Sequence, residues 1–339
     1  MNPTEVKKVK ALLSKPRNIV IVTHWSPDGD AIGSSLGLYN YLVKKKHNVT
    51  VITPNDYPSF LTWMKGNNKI LDFQKKESAA KKAASKAELI FCLDFNSLKR
   101  IDKLGDEVLK SSAVKFIIDH HPQPDDFADF MLHSVAACST CELIYDFISL
   151  MGDKKMLDKA ISDCLYTGIM TDTGSFRYPS TTAKTHSILS ELIKAGAQNA
   201  EIHNRIYDDN TESRLKLLGF CLNEKLTVMK QYKTAFFALS ADELERFGYK
   251  KGDTEGVVNY ALSIAGIRFA AFMVERDGII KVSFRSKGSF DVNKFARAHF
   301  SGGGHVNAAG GMSDLALDKT IDKFVSLLPQ YEKQLNAKK

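Results

Sequence analysis

An apolar run that stops at Asp119-His120-His121 constrains this chain more than any other feature. Val114-Lys115-Phe116-Ile117-Ile118 reads as a buried strand. A carboxylate and two imidazoles at its end are costly to bury without partners. In open α/β sheets, ligands bind just outside the carboxyl ends of the strands. A fold that uses this strand should therefore bring other groups to the same place. Three further segments do so. Residues 18–23 form a β-branched run that ends in His24-Trp25-Ser26-Pro27-Asp28-Gly29-Asp30. Residues 88–93 are a second such run and end in Asp94. A helix-like stretch over residues 159–170 runs into Thr171-Asp172-Thr173-Gly174. Together these termini supply five aspartates and three histidines.

The intervening residues set the fold class. Strands are expected at 18–23, 48–53, 88–94 and 114–119. Between the first two, Ile32, Leu36, Tyr39 and Val43 recur at helical spacing over about 31–44, and Gly33 and Gly37 permit close packing on the sheet. Alternation of this kind implies an α/β fold, a mainly parallel sheet with helices on both faces. A further helix is expected over about 181–196, ended by Gly196. From about residue 226 the pattern changes to short strands, at 234–239, 266–274 and 278–284, then a helix at 292–299. A chain of 339 residues has room for two domains. The expected division is 1–196, a helical linker at 197–215, and a smaller α/β domain at 216–339, with the active site in the cleft between them. The last four residues, 336–339, are expected to fray.

Carboxylates and imidazoles without thiolate suit Mn²⁺, Mg²⁺ or Fe²⁺ better than a structural zinc. Clustered aspartates raise one another's pKa unless cations sit among them. Two divalent ions about 3.5–4 Å apart would relieve that repulsion and create a site for displacement at phosphorus. Asp28 or Asp172 alone would be explained as a helix cap. Four converging segments are not.

In the last third, Lys281-Val282-Ser283-Phe284-Arg285-Ser286 reads as a strand, and Phe300-Ser301-Gly302-Gly303-Gly304-His305 follows a helix. Successive glycines let backbone N–H groups converge on an anion, with Arg285 and His305 adding charged donors. Alone, the glycine run reads as a turn between helix and strand. The five cysteines form no framework: Cys138-Ser139-Thr140-Cys141 has no second pair, and Ser139 or Thr140 is better placed as a helix cap. Cys92, Cys164 and Cys221 are expected in the core. A net charge of +8 weakly favours a polyanionic substrate, although the lysines of residues 75–86 read as a solvated helix face. No apolar run reaches the ~20 residues of a membrane span, and residues 1–8 lack the apolar core of a signal peptide. A cytoplasmic enzyme is expected.

His24-x3-Asp28-x-Asp30, then Asp94, then Asp119-His120-His121, then Asp172 resembles the four ordered motifs of the DHH phosphoesterase superfamily. Arg285-Ser286 with the glycine loop resembles the DHH-associated domain of its nuclease and nanoRNase branches. Ser301 stands where that family usually has the first of four glycines. The resemblance implies one metal ion on His24, Asp28 and Asp94 and a second on Asp30, Asp94, His120 and Asp172, with Asp94 bridging. It implies Mn²⁺, with Mg²⁺ as the alternative. His121 would contact the scissile phosphate, and Asp119 would orient a histidine ligand. Arg285, Ser286, Gly302, Gly303, Gly304 and His305 would bind substrate. The implied activity is hydrolysis of short RNA or DNA oligonucleotides and of 3'-phosphoadenosine-5'-phosphate (pAp). Hydrolysis of cyclic-di-AMP or its linear product pApA is the alternative. A RecJ-like exonuclease and a nucleotide-binding regulator with a dead metal site are the further alternatives, and a homodimer is left open.

Overall fold

The computed structural model describes residues 1–337. They form two compact units, the first ending at Asp209 and the second beginning at Asn210.

In the first unit, β1 (Asn18–Thr23), β2 (Asn48–Thr53), β3 (Ile70–Asp72), β4 (Leu89–Leu93), β5 (Val114–Asp119) and β6 (Phe130–His133) make one parallel sheet in the order β3-β2-β1-β4-β5-β6. The strands form where β-branched and aromatic residues cluster. Because side chains alternate across a strand, Ile19, Ile21, Phe91, Phe116 and Ile118 enter one core. That core is closed by α1 (Pro3–Leu12), α2 (Gly29–Lys44), α5 (Thr140–Met151), α6 (Lys159–Asp172) and α7 (Ala183–Lys194). Val20, Val22, Ile90, Cys92 and Ile117 enter the opposite core, under α3 (Glu77–Lys86) and α4 (Lys103–Lys110). Phe147 of α5 meets Phe91 and Phe116 edge-on at 5.8 and 5.6 Å. Truncating one such ring would cost about 3–5 kcal/mol.

Gly33 and Gly37 do not serve the sheet, as expected from spacing alone. They face α6: a Cβ at Gly33 would lie 2.6 Å from the Cys164 carbonyl oxygen. The reason is that α2 is buried almost all round, so its small residues fall where a second helix crosses. On α6, a Cβ at Gly168 would lie 2.8 Å from Asp30 Oδ1. This close crossing brings Asp30 up against the helix whose last residue is Asp172.

After α7 come α8 (Asn199–His203), a wide turn at Asn204–Asp208 and α9 (Glu212–Phe220). The second unit carries β7 (Thr227–Met229), β8 (Thr234–Leu239), β9 (Phe269–Arg276), β10 (Ile279–Ser286), β11 (Gly303–Gly304) and β12 (Ala308–Ser313) in the order β11-β12-β10-β9-β8-β7. Among the described residues of this unit only β8 and β9 pair in parallel; the other ladders are antiparallel. Its helices are α10 (Ala241–Arg246), α11 (Val257–Ser263), α12 (Val292–His299) and α13 (Leu317–Asn336). On β10, Ile280, Val282 and Phe284 are buried and Lys281, Ser283 and Arg285 are half-buried. Phe324, Leu328 and Leu335 of α13 close the core over Phe269, Phe284 and Phe295.

The expected fraying of residues 336–339 is corrected for the first two. Asn336 Nδ2 donates to the Gln231 carbonyl at 3.0 Å, and Arg268 donates to the carbonyls of Leu335 and Ala337. Lys338 and Lys339 lie outside the described residues. All five cysteines are buried and free. Among the described residues no helix is long and apolar enough to cross a membrane.

Candidate metal centre

Strand order reverses direction at β1 and β4, which leave the centre of the sheet for opposite edges. Such a switch point opens a crevice at the carboxyl ends of the strands. His24 follows β1, Asp94 follows β4, Asp119 ends β5, and His120 and His121 follow it. Asp28 caps α2, with Oδ1 accepting from the N–H groups of Asp30 and Ala31, each at 3.0 Å. Asp172 ends α6. All eight groups expected from the sequence therefore reach one crevice.

Their geometry divides into clusters that share Asp94. His24 Nε2 lies 3.8 Å from Asp28 Oδ1 and 3.4 Å from Asp94 Oδ2. His120 Nε2 lies 3.9 Å from Asp30 Oδ2, 3.5 Å from Asp94 Oδ1 and 3.4 Å from Asp172 Oδ2. Asp94 thus turns one oxygen to each histidine. Its backbone is left-handed, with φ of 64°. Such a conformation costs about 1–3 kcal/mol and persists where the surroundings over-determine it.

The supporting bonds fix each ring. Nδ1 of His24 is bonded to the Trp25 carbonyl at 2.8 Å, and Nδ1 of His120 faces the Ala137 carbonyl at 3.3 Å. Both rings therefore present Nε2 to the carboxylates. Asp119 bonds His121 Nδ1 at 2.8 Å. Asp119 thus orients His121, which lies outside the ligand set that the resemblance implies, because side chains two apart on an extended segment share a face. The second Asp119 oxygen is buried without a hydrogen-bond partner.

Two participants were not foreseen. Thr140 Oγ1 donates to Asp94 Oδ1 at 2.9 Å, and the N–H groups of Thr140 and Cys141 donate to Asp30 at 2.6 and 2.9 Å. Ser139 is the cap of α5, which leaves the Thr140 hydroxyl available for Asp94. The only sequence signal was the choice between two adjacent caps. Arg100 is the other. It follows β4 on the short turn Leu98–Ile101, and its carbonyl accepts the Trp25 N–H at 2.8 Å.

Electrostatics show a site that strains against its own charge. Burial would lower the His24 pKa, but Asp28 and Asp94 push it up to about 10. His120 is likewise held well above its usual value against burial, by Asp94, Asp172 and Asp30. Burial, then Asp94 and Asp172, drives Asp30 well above the carboxylate range. Asp94 is held well below it, against burial, by His120 and His24. Burial and Arg100 lower His121. Carboxylates that push protons onto one another and onto imidazoles are a donor set suited to divalent cations. By this test the residues fit divalent cations.

In the second unit the expected substrate-binding residues gather at one corner. Arg285, near the end of β10, pairs in register with Ala308, just past His305. Arg285 Nη1 donates to the Phe284 carbonyl at 3.0 Å, and its Nε is buried without a partner. Ser286 is committed to the fold: its hydroxyl donates to the Phe290 carbonyl at 2.6 Å and accepts from Asn307 at 2.8 Å. The glycine run forms no converging nest. Gly302 N–H donates to the Ala296 carbonyl, Gly304 N–H donates to Asn293 Oδ1, and Gly303 and Gly304 form β11. Glycine is needed there for close approach, since a Cβ at Gly302 would lie 2.0 Å from the Gly310 carbonyl oxygen.

The DHH family, N-terminal domain, matches residues 18–169, and the DHHA1 domain matches residues 231–334. A Bacillus subtilis protein named bifunctional oligoribonuclease and PAP phosphatase NrnA is 33% identical over 86% of this chain and 88% of its own length. The crystal structure of an exopolyphosphatase-related protein from Bacteroides fragilis superposes with a TM-score of 0.94 and 40% identity, over 99% of this chain and 98% of that one. RecJ from Thermus thermophilus, crystallised with Mn²⁺, shares the fold at a TM-score of 0.56 and 12% identity, over 97% of this chain and 55% of that one.

Proposed function

Because the chain belongs to the DHH family, we propose that it is a two-metal phosphoesterase that hydrolyses short RNA oligonucleotides and dephosphorylates pAp. The observation that carries this reading is Asp94, whose two oxygens face His24 at 3.4 Å and His120 at 3.5 Å. His24, Asp28 and Asp94 would hold one ion; Asp30, Asp94, His120 and Asp172 would hold the other. Bound divalent cations supply Lewis acidity toward phosphoryl oxygen and acidify water. Mn²⁺ is favoured over Mg²⁺ because imidazole contributes to both donor sets.

The chain's own residues prepare the reaction. Thr140 and the N–H groups at the start of α5 hold Asp94 and Asp30 in place, so little reorganisation is needed when charge develops. His121, oriented by Asp119, would meet the phosphate or the leaving oxygen. In the second unit, Arg285 and His305 would bind a terminal phosphate. Short oligonucleotides and pAp are the substrates in the name of the Bacillus subtilis relative, which supports them as the substrates here.

The test is one panel. Purified protein with Mn²⁺ is assayed against pAp, pApA, cyclic-di-AMP and RNA of two, three, five and about twenty-four nucleotides. The expected result is turnover of pAp and of the shortest RNAs, abolished by chelation. Equal, processive degradation of the longest RNA would replace this reading with a RecJ-like exonuclease. Turnover confined to cyclic-di-AMP and pApA would replace it with a phosphodiesterase of those dinucleotides.

A further inference from the structure

Arg100 is unlike the other arginines of its unit. Arg17 pairs with Glu88, Arg205 with Glu201, and Arg177 Nε donates to the Gly174 carbonyl at 2.7 Å. Arg100 is half-buried, yet its guanidinium makes no hydrogen bond or ion pair among the described residues. This is not for want of anions. The residue sits on the turn that leaves the β4 end, six positions after Asp94, and its carbonyl takes the N–H of Trp25, the neighbour of His24, at 2.8 Å. A guanidinium held beside a carboxylate-rich site would be expected to pair with one of the carboxylates. Here those carboxylates are engaged with histidines, α5 and Thr140.

Its backbone explains why it stays where it is. Arg100 N–H donates to the Ser97 carbonyl at 3.0 Å, and its carbonyl receives the Trp25 N–H at 2.8 Å. The main chain thus ties the β4 turn to the loop that starts at His24. That tie needs no arginine side chain; any residue supplies a carbonyl. The side chain is therefore left over from the fold: a planar fork of donors rooted beside the loop that starts at His24.

We propose that Arg100 is a direct phosphate clamp, its guanidinium donating to phosphoryl oxygens of the substrate at the metal centre. This rests on the phosphoesterase reading above and adds to it a substrate-contacting residue from the first unit. Two parallel N–H···O bonds match the geometry of a phosphate.

The experiment compares Arg100→Ala, Arg100→Lys and Asp94→Ala on pAp with Mn²⁺, with bound metal measured for each. Arg100→Ala should lose about 10- to 100-fold in kcat/KM with both ions retained. Arg100→Lys should recover only part of the loss, since it restores charge without the fork. Added guanidinium ion should restore Arg100→Ala better than equal ammonium. Wild-type kcat/KM in Arg100→Ala, with Asp94→Ala inactive, overturns the clamp and leaves the phosphoesterase reading intact. Loss of metal from Arg100→Ala also overturns it, because the residue would then act through the ions. Full turnover by Asp94→Ala would instead remove the phosphoesterase reading itself.

Discussion

The two units hold their chemistry in different ways. In the first, the reactive side chains are buried and cross-braced: His120 and Asp94 are each about 5% exposed or less, and Asp94 answers to two histidines and Thr140. In the second, the corner at Arg285 and His305 is half-buried, and its hydrogen bonds serve mostly to hold its own backbone. One site is built before any ligand arrives. The other is a stable edge carrying a few long side chains. Pre-organisation of the first kind suits bond-breaking, where misplacement is costly. Looser presentation suits binding, where a contact can be lost without losing the reaction.

The largest expected effect tests the first half of that contrast. Asp94→Ala should lower turnover at least about 1000-fold, because both proposed ions would be lost at once and several kcal/mol of transition-state stabilisation with them. Asp28→Asn is the comparator, since asparagine keeps the α2 cap and isolates the ligand role. It should disturb one ion and leave the other. Two ions retained by Asp94→Ala would break the bridging assignment, and with it the view of the first site as a single cross-braced unit.

A smaller effect is expected from the second unit. Arg285→Ala should raise KM by about 10- to 100-fold through the loss of a charge-assisted phosphate contact, with kcat and metal content close to those of the intact protein. Steady-state kinetics on pAp and on a dinucleotide decide it. An unchanged KM on both substrates would make Arg285 a structural residue, and the second unit would then need another substrate contact.

Legibility in the sequence followed the same divide. The strand ends were readable because β1, β4 and β5 are apolar runs that stop at polar groups, a pattern that burial enforces. The edge strands Ile70–Asp72 and Phe130–His133 were missed, being only 3 and 4 residues long with little alternation to read. The 20-residue helix Leu317–Asn336 also went unread, and Pro329 in its interior argues locally against a helix. Thr140 and Arg100 carry no motif of their own; only the fold brings them to the crevice. The glycine run was readable as unusual but not as to its purpose. Glycines that admit an anion and glycines that admit a neighbouring strand look alike in sequence.

The smallest expected effect concerns backbone strain, which both regions contain. Ser301 has φ of 46° and is exposed, at the entrance to the glycine run. A left-handed conformation costs an L-residue about 1–2 kcal/mol. Glycine would remove that cost but add back roughly 0.5–1 kcal/mol of chain entropy in the unfolded state. Ser301→Gly should therefore stabilise the second unit by about 0.5–1 kcal/mol, which corresponds to a rise in melting temperature of roughly 2–4 °C. Activity should be unchanged, because the Ser301 hydroxyl holds nothing in place. The unfolding transition of the second unit, followed by calorimetry, is the measurement. An unchanged or lower transition would show that the turn holds serine without strain. Asp94 has the same backbone anomaly, with φ of 64°, but there the side chain is what the strain serves. Relief of strain should cost nothing at Ser301, whereas the same change at Asp94 should cost the reaction.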